Sequence, residues 1–148
     1  MATFAHAGSH GTALRVLSVC LGLFLIFMGL DKIDWLMDAG VLTRRLQEWR
    51  ASAPPMSRWY LETIAIPGAP LFARLVLLGE LAAGAALVSG VKVRLAAAVS
   101  LLMVLNFHFA SDVLFHYSYL TNAYGPPVLG GLLALAIGGT RLPFSLSR

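Results

Sequence analysis

This sequence carries little charge. Only 12% of its 148 residues are Asp, Glu, Lys or Arg, while 58% are hydrophobic; the charged share is roughly half that of an ordinary soluble domain. Too little polar side chain is left to solvate a globule in water. Cysteine is nearly missing too. The single Cys20 cannot close an intrachain disulfide, and within an apolar run it is expected to be a small buried hydrophobe. No phosphate loop, nucleophile elbow, dinucleotide fingerprint or zinc-protease motif occurs, so soluble-enzyme chemistry has no footing. Histidine is also sparse. His6 and His10 lie in the amino-terminal tail, and His108 and His116 fall on one expected helix. A haem gripped by opposed axial ligands from two spans of one copy is therefore disfavoured. The opening MATFAHAGSHGTALR lacks the basic start and small-residue cleavage site of a signal peptide. The first apolar run is expected to stay as an anchor.

What is present in abundance is long apolar runs. An all-α, single-domain membrane protein is expected, a four-helix bundle with spans at about 14–30, 71–89, 93–112 and 123–140. Each holds roughly 17–20 residues, about what a ~30 Å hydrocarbon core requires. Pro126 and Pro127 fall in the first turn of the last run, where a missing amide donor costs little. Between the first two runs, residues 31–70 form an interfacial segment. Leu42, Leu46 and Trp49 recur at i, i+4 and i+7, the pattern of an amphipathic helix. Pro54-Pro55 breaks it, and a second short helix with Trp59 and Tyr60 should follow. The segment reads either as a lid over one mouth of the bundle or as plain interfacial anchoring. Gly79, Ala83, Ala86, Gly130, Gly131, Gly138 and Gly139 are small enough for close helix approach.

The net charge of +4 does not indicate nucleic acid, because the basic residues lie between apolar runs and set topology instead. Arg15, Lys92, Arg94, Arg141 and Arg148 share one side, whereas the connection between the third and fourth runs has no Lys or Arg. Both termini are accordingly expected to be cytoplasmic. Lys32, Arg44, Arg45, Arg50 and Arg58 in the interfacial segment pull the other way.

Glu80 is the most informative residue. It lies nine residues beyond Leu71, about 13 Å down a helix, where an unpaired charge costs several kcal/mol. It should face the bundle interior, either as a functional carboxylate or as half of a structural ion pair with Arg15, Lys32 or Arg74. A second group is Asn106, His108, Asp112 and His116. If the third helix runs on past Phe115, His108, Asp112 and His116 share one face at i, i+4 and i+8. A histidine of this group beside the carboxylate would be oriented and have its pKa raised, which suits proton exchange near neutral pH. Capping and anchoring, proton exchange with a lipid-soluble ligand, and metal binding by His108, Asp112 and His116 remain as alternatives, the last without a strong Cys/His motif.

The ordered fragments Arg15, MGLDK (Met28–Lys32), LLGELAAGAALVSGVKVRLAA (Leu77–Ala98) and NFHFASDVLFHYSYLTNAYGPPVLGGLLAL (Asn106–Leu135) resemble the DoxX/DoxD-like family of small four-span membrane proteins. Arg15, Lys32, Glu80 and Arg94 match that family's recurring polar positions, and Arg74 joins them as a structural polar residue. The resemblance implies a compact bundle in the bacterial inner membrane, and in some members association with membrane redox chemistry. On that basis a subunit of a quinone-linked redox complex is expected, with no intrinsic cofactor and no assigned catalytic residue. A quinone head would meet Glu80, Asn106 and His108, with Trp35 and Tyr117 lining the pocket. Lipid and other membrane subunits are the expected partners, and self-association is open. A non-catalytic assembly subunit and a small-solute or proton carrier stand as alternatives.

Overall fold

The structure, a computed structural model, describes residues 3–122, 124–140 and 142–146, with side chains from residue 10 onward except at residue 115. Ala123, Arg141, Arg148 and the side chain of His6 lie outside the described residues. The described residues form six α-helices: α1 (Thr3–Leu30), α2 (Gly40–Ser52), α3 (Pro55–Tyr60), α4 (Ala69–Ser89), α5 (Val93–Ala110) and α6 (Pro126–Gly138). Short 3-10 turns cover Ile33–Leu36, Val113–Phe115 and Tyr117–Thr121, and a π-turn covers Leu61–Ala65. There is no strand among the described residues.

Three helices, in α1, α4 and α5, are long and apolar enough to cross a membrane. Their outer faces carry Phe27, Leu75 and Leu102 at 67%, 54% and 67% exposure, which is the surface of a protein solvated by lipid. The last helix departs from expectation. It spans only 13 residues from Pro126, about 20 Å, well short of the run expected over 123–140. A 3-10 turn at Tyr117–Thr121 and a bend at Gly125 take up the chain before it.

The third span also stops early. The expected helix to residue 112 ends at Ala110, because Asp112 turns left-handed (φ 59°) while the Ser111 hydroxyl donates back to the Phe107 carbonyl at 2.8 Å. A tight turn joins α4 to α5, with Gly90 in the left-handed region (φ 79°) and its amide on the Ala86 carbonyl. This is the usual glycine stop of a helix.

The start of α1, the end of α4, the start of α5 and the end of α6 meet at one end of the bundle. Leu146 N–H donates to the Ser89 carbonyl at 3.0 Å, and Gly11 lies against Pro143. Arginines close this end. The Arg15 guanidinium donates to Leu87 O and Val88 O at 2.9 and 2.6 Å, and Arg94 Nε donates to Ala136 O at 2.9 Å. The last carbonyls of α4 and α6 have no helical partners, and lipid supplies none. A cation there also complements the helix dipole.

Helix α1 makes its closest approach to α4 at a glycine pair. A Cβ at Gly22 would lie 2.8 Å from Gly84 O, and one at Gly84 would lie 2.7 Å from Gly22 O and 3.0 Å from the Ile26 amide. Gly22 and Gly84 are not among the glycines expected to serve; of those, Gly131 lies against Leu21 and Leu17, Gly138 against Leu14 and Gly139 against Val93, whereas Gly79 faces the flexible end of Met103 and a Cβ on Gly130 would meet nothing within 4 Å. Cys20 is also corrected, since its side chain is exposed on α1 and faces outward instead of filling the core.

The interfacial segment folds as expected. α2 buries Leu42 and Leu46 and ends before Pro54. Together with Trp35, Leu61, Ala69 and Ala73 these residues form a second apolar cluster, separate from the bundle core of Leu25, Leu87, Leu132 and Leu135. α3 closes onto α5, with Ser57 Oγ donating to Phe109 O at 3.2 Å.

Gly84→Val is expected to destabilise the bundle by about 1–3 kcal/mol or more through backbone overpacking, whereas Gly130→Ala should stay within ~0.5 kcal/mol. Thermal unfolding of both variants in mild detergent reads the difference.

Candidate functional site

Glu80 sits midway along α4 and is 8% exposed. Its partner is Lys32, just past the end of α1. Lys32 Nζ donates to Glu80 Oε1 at 3.0 Å, to Oε2 at 2.9 Å and to the Met28 carbonyl at 2.8 Å. All three ammonium hydrogens thus have acceptors. The Trp35 ring lies 5.9 Å from the same nitrogen, within cation–π range. The local sequence explains the placement. Gly29 lets α1 approach Glu80 and Leu81 closely, and the turn after Leu30 brings Lys32 back over the Met28 carbonyl. Of the three expected candidates for the ion pair, Lys32 is the one that makes it. Arg15 caps α4, and Arg74 turns outward to its own helix at Pro70 O, 2.8 Å away.

Beside the pair lies a cavity of ≈210 Å³. Glu80 and Lys32 form its polar floor, His108 enters from α5, and the exposed Arg45 of α2 stands at the rim. The remaining wall combines four aromatic rings with Leu25, Met28, Val104, Val128 and Ser111. Phe24 stacks on Tyr124 with centroids 5.7 Å apart, and Trp49 meets Phe107 edge-on at 6.2 Å. His108 Nδ1 is 3.1 Å from Tyr119 Oη. A tyrosine phenol carries its proton at neutral pH. In the tautomer protonated at Nε2, Tyr119 donates to Nδ1.

The expected site residues therefore divide. Glu80 and His108 share one cavity. Asn106 does not join them: it is exposed on another face of α5, where its Oδ1 accepts from Tyr60 Oη at 2.6 Å. Trp35 is buried in the apolar cluster beneath Lys32 and does not line the cavity. Tyr117 is 83% exposed. The shared face of His108, Asp112 and His116 is lost with the early end of α5. Asp112 pairs with His116 at 3.2 Å near the surface, so the histidine that stands beside the carboxylate is His116, which does not line the cavity. Among the described residues no three His, Cys, Asp or Glu side chains converge on a possible metal position. Lys32 lines the site as well as holding it together, and the sequence pattern does not single out Arg45, Trp49, Phe24 or Tyr124 as cavity residues. The i, i+3 and i+4 spacing of Leu42, Arg45, Leu46 and Trp49 was the available signal, since it places Arg45 beside the buried face.

The fold and this site define a helical membrane protein with a partly aromatic cavity floored by a buried ion pair and bordered by the amphipathic helix α2. A model of the DoxX family matches residues 13–117, well over half of the chain, and the protein belongs to that family. The matched stretch includes Lys32, Glu80 and His108, while the Tyr124 and α6 walls follow it. No curated protein and no solved structure gives a match.

Removing one partner of a buried ion pair strands the other charge. Glu80→Leu and Lys32→Met are each expected to cost about 3–5 kcal/mol, and the double variant to regain most of that loss. Unfolding midpoints of the three proteins in one detergent check the cycle; additive losses would show that the pair contributes no coupling.

Proposed function

We propose that the cavity holds the ring of a quinone and that the protein serves a membrane redox complex as its quinone-binding subunit. One observation carries this reading: a ≈210 Å³ aromatic chamber with Glu80, Lys32 and His108 on its walls. That volume lies below the ~300–1,000 Å³ of drug-sized sites and suits a single ring. Lys32 has no hydrogen to spare, but the Glu80 oxygens retain lone pairs that can accept from a hydroquinone hydroxyl. His108 can donate to a quinone oxygen or take its proton. Electrons would pass to or from a partner subunit or a bound cofactor.

In this proposal α6 and the turns before it complete a fourth crossing. The arginine-closed end is cytoplasmic, and the membrane is the bacterial inner membrane. A second reading, a non-catalytic assembly subunit, is favoured by the Lys32–Glu80 pair itself, which neutralises both charges and engages every Lys32 hydrogen without a ligand.

Titrating a tail-free benzoquinone into the purified chain separates the two. His108→Ala and Glu80→Gln are each expected to weaken binding about tenfold, the worth of one hydrogen bond in a dry site. Unchanged affinity in both removes the ring site and leaves the assembly role.

A further inference from the structure

Although a tight turn joins α4 to α5, the two helices do not close on each other along their length. Beyond the level where Gly79 faces Met103, residues of the lid segment fill the gap. Trp49 packs edge-on against Phe107, and Tyr60 donates to Asn106. Two further spaces open there. A small cavity of ≈60 Å³ lies under α2, and a groove of ≈380 Å³ runs along the outer surface between α4 and α5. Phe107 lines the chamber, the small cavity and the groove alike, and Trp49 lines the first two. Phe72, Val76 and Asn106 are shared by the small cavity and the groove. The spaces are consecutive, with the Phe107 ring as their common wall.

We propose that the α4–α5 groove seats the alkyl or isoprenoid tail of the ligand whose ring occupies the chamber, and that Phe107 is the side gate between them. This rests on the reading of the chamber as a ring site. The chamber has room for a ring and none for a chain, so a tail must leave it. Leaving past Arg45 leads to the polar interface, where an apolar chain would meet water. Leaving past Phe107 leads to hydrocarbon. The groove is walled by apolar side chains except at Asn106, and its edges Leu75 and Leu102 are exposed on the lipid-facing surface. From Phe107 back to Val99 it follows eight residues of α5, about 12 Å, so an extended chain can lie along it.

The test compares 2,3-dimethoxy-5-methyl-1,4-benzoquinone with the same ring bearing a decyl tail, titrated against the full chain in lipid nanodiscs. It uses the wild type and Gly79→Leu. A Cβ at Gly79 would point at the Met103 thioether 3.1 Å away, a flexible end that can yield while leucine fills the groove. The wild type should bind the tailed ring about tenfold more tightly than the bare ring. In Gly79→Leu the bare ring should bind as before and the gain from the tail should largely vanish. An equal gain in both proteins overturns the tail site alone and leaves the groove to bilayer lipid or a partner's helix. Failure of both quinones to bind the wild type overturns the ring site and the tail site together. A wild-type experiment guards against misfolding of the variant. A diazirine at the tail end should label residues 72–79 or 99–106, the walls of the groove; labelling confined to α1 or α6 overturns the proposal.

Discussion

A carboxylate surrounded by hydrocarbon has to be neutralised where it sits, and much of this structure follows from how that is done for Glu80. The partner cannot come from α4 itself, whose nearby Arg74 is directed outward. It comes from the chain just beyond α1, which must lie close against α4. Gly22, Gly84 and Gly29 make that approach possible, and Lys32 then reaches both carboxylate oxygens. The strongest electrostatic contact and the tightest helix crossing are thus two aspects of one interface. Breaking either one loosens the other, because a charge stranded in a dry interior costs more than the pair itself contributes.

The same solvent governs the opposite end of the bundle by a different rule. Lipid offers no donors, so the terminal carbonyls of α4 and α6 are met by Arg15 and Arg94, and Ser18 Oγ adds a second donor to Leu87 O at 2.7 Å. The basic residues that sequence alone assigns to topology therefore also act as helix caps. One guanidinium satisfies two carbonyls and complements the dipole of the helix it closes.

Hydrophobic runs, the depth of Glu80 and the amphipathic period of α2 were legible because each is a local pattern with a physical penalty for the alternative. What was not legible depends on contacts between distant residues or on single backbone angles. The pairing of Glu80 with Lys32 spans 48 positions, and composition did not separate Lys32 from Arg15 or Arg74 as the partner. The end of α5 turns on one left-handed residue, Asp112, which removed the shared face expected for His108, Asp112 and His116. Asn106 and His108 lie two residues apart, a rotation of about 200° on a helix, so placing both in one pocket required more helix surface than the pocket can meet. Trp35 is aromatic and close to Lys32, yet it supports the lysine from below and does not line the cavity. Small residues were correctly taken as contacts, but which glycines meet is decided by crossing geometry.

The distribution of free hydrogen-bonding capacity bears on whether the ion pair is only a structural device. Lys32 has all three hydrogens engaged, one of them by the Met28 carbonyl of its own chain segment, so the lysine is held whether or not anything else binds. Glu80 accepts from that one nitrogen and retains acceptor sites on the wall of a cavity lined mostly by apolar side chains. A purely structural pair has no need for such a space beside it, since a void in a packed interior is itself destabilising. The chamber persists because Trp49 and Phe107, Phe24 and Tyr124 pack against each other around it. Aromatic walls packed on each other, a carboxylate already fixed by its lysine and a histidine held by Tyr119 would leave little to be ordered on entry of the proposed ring. Preorganisation of this kind lowers the cost of binding.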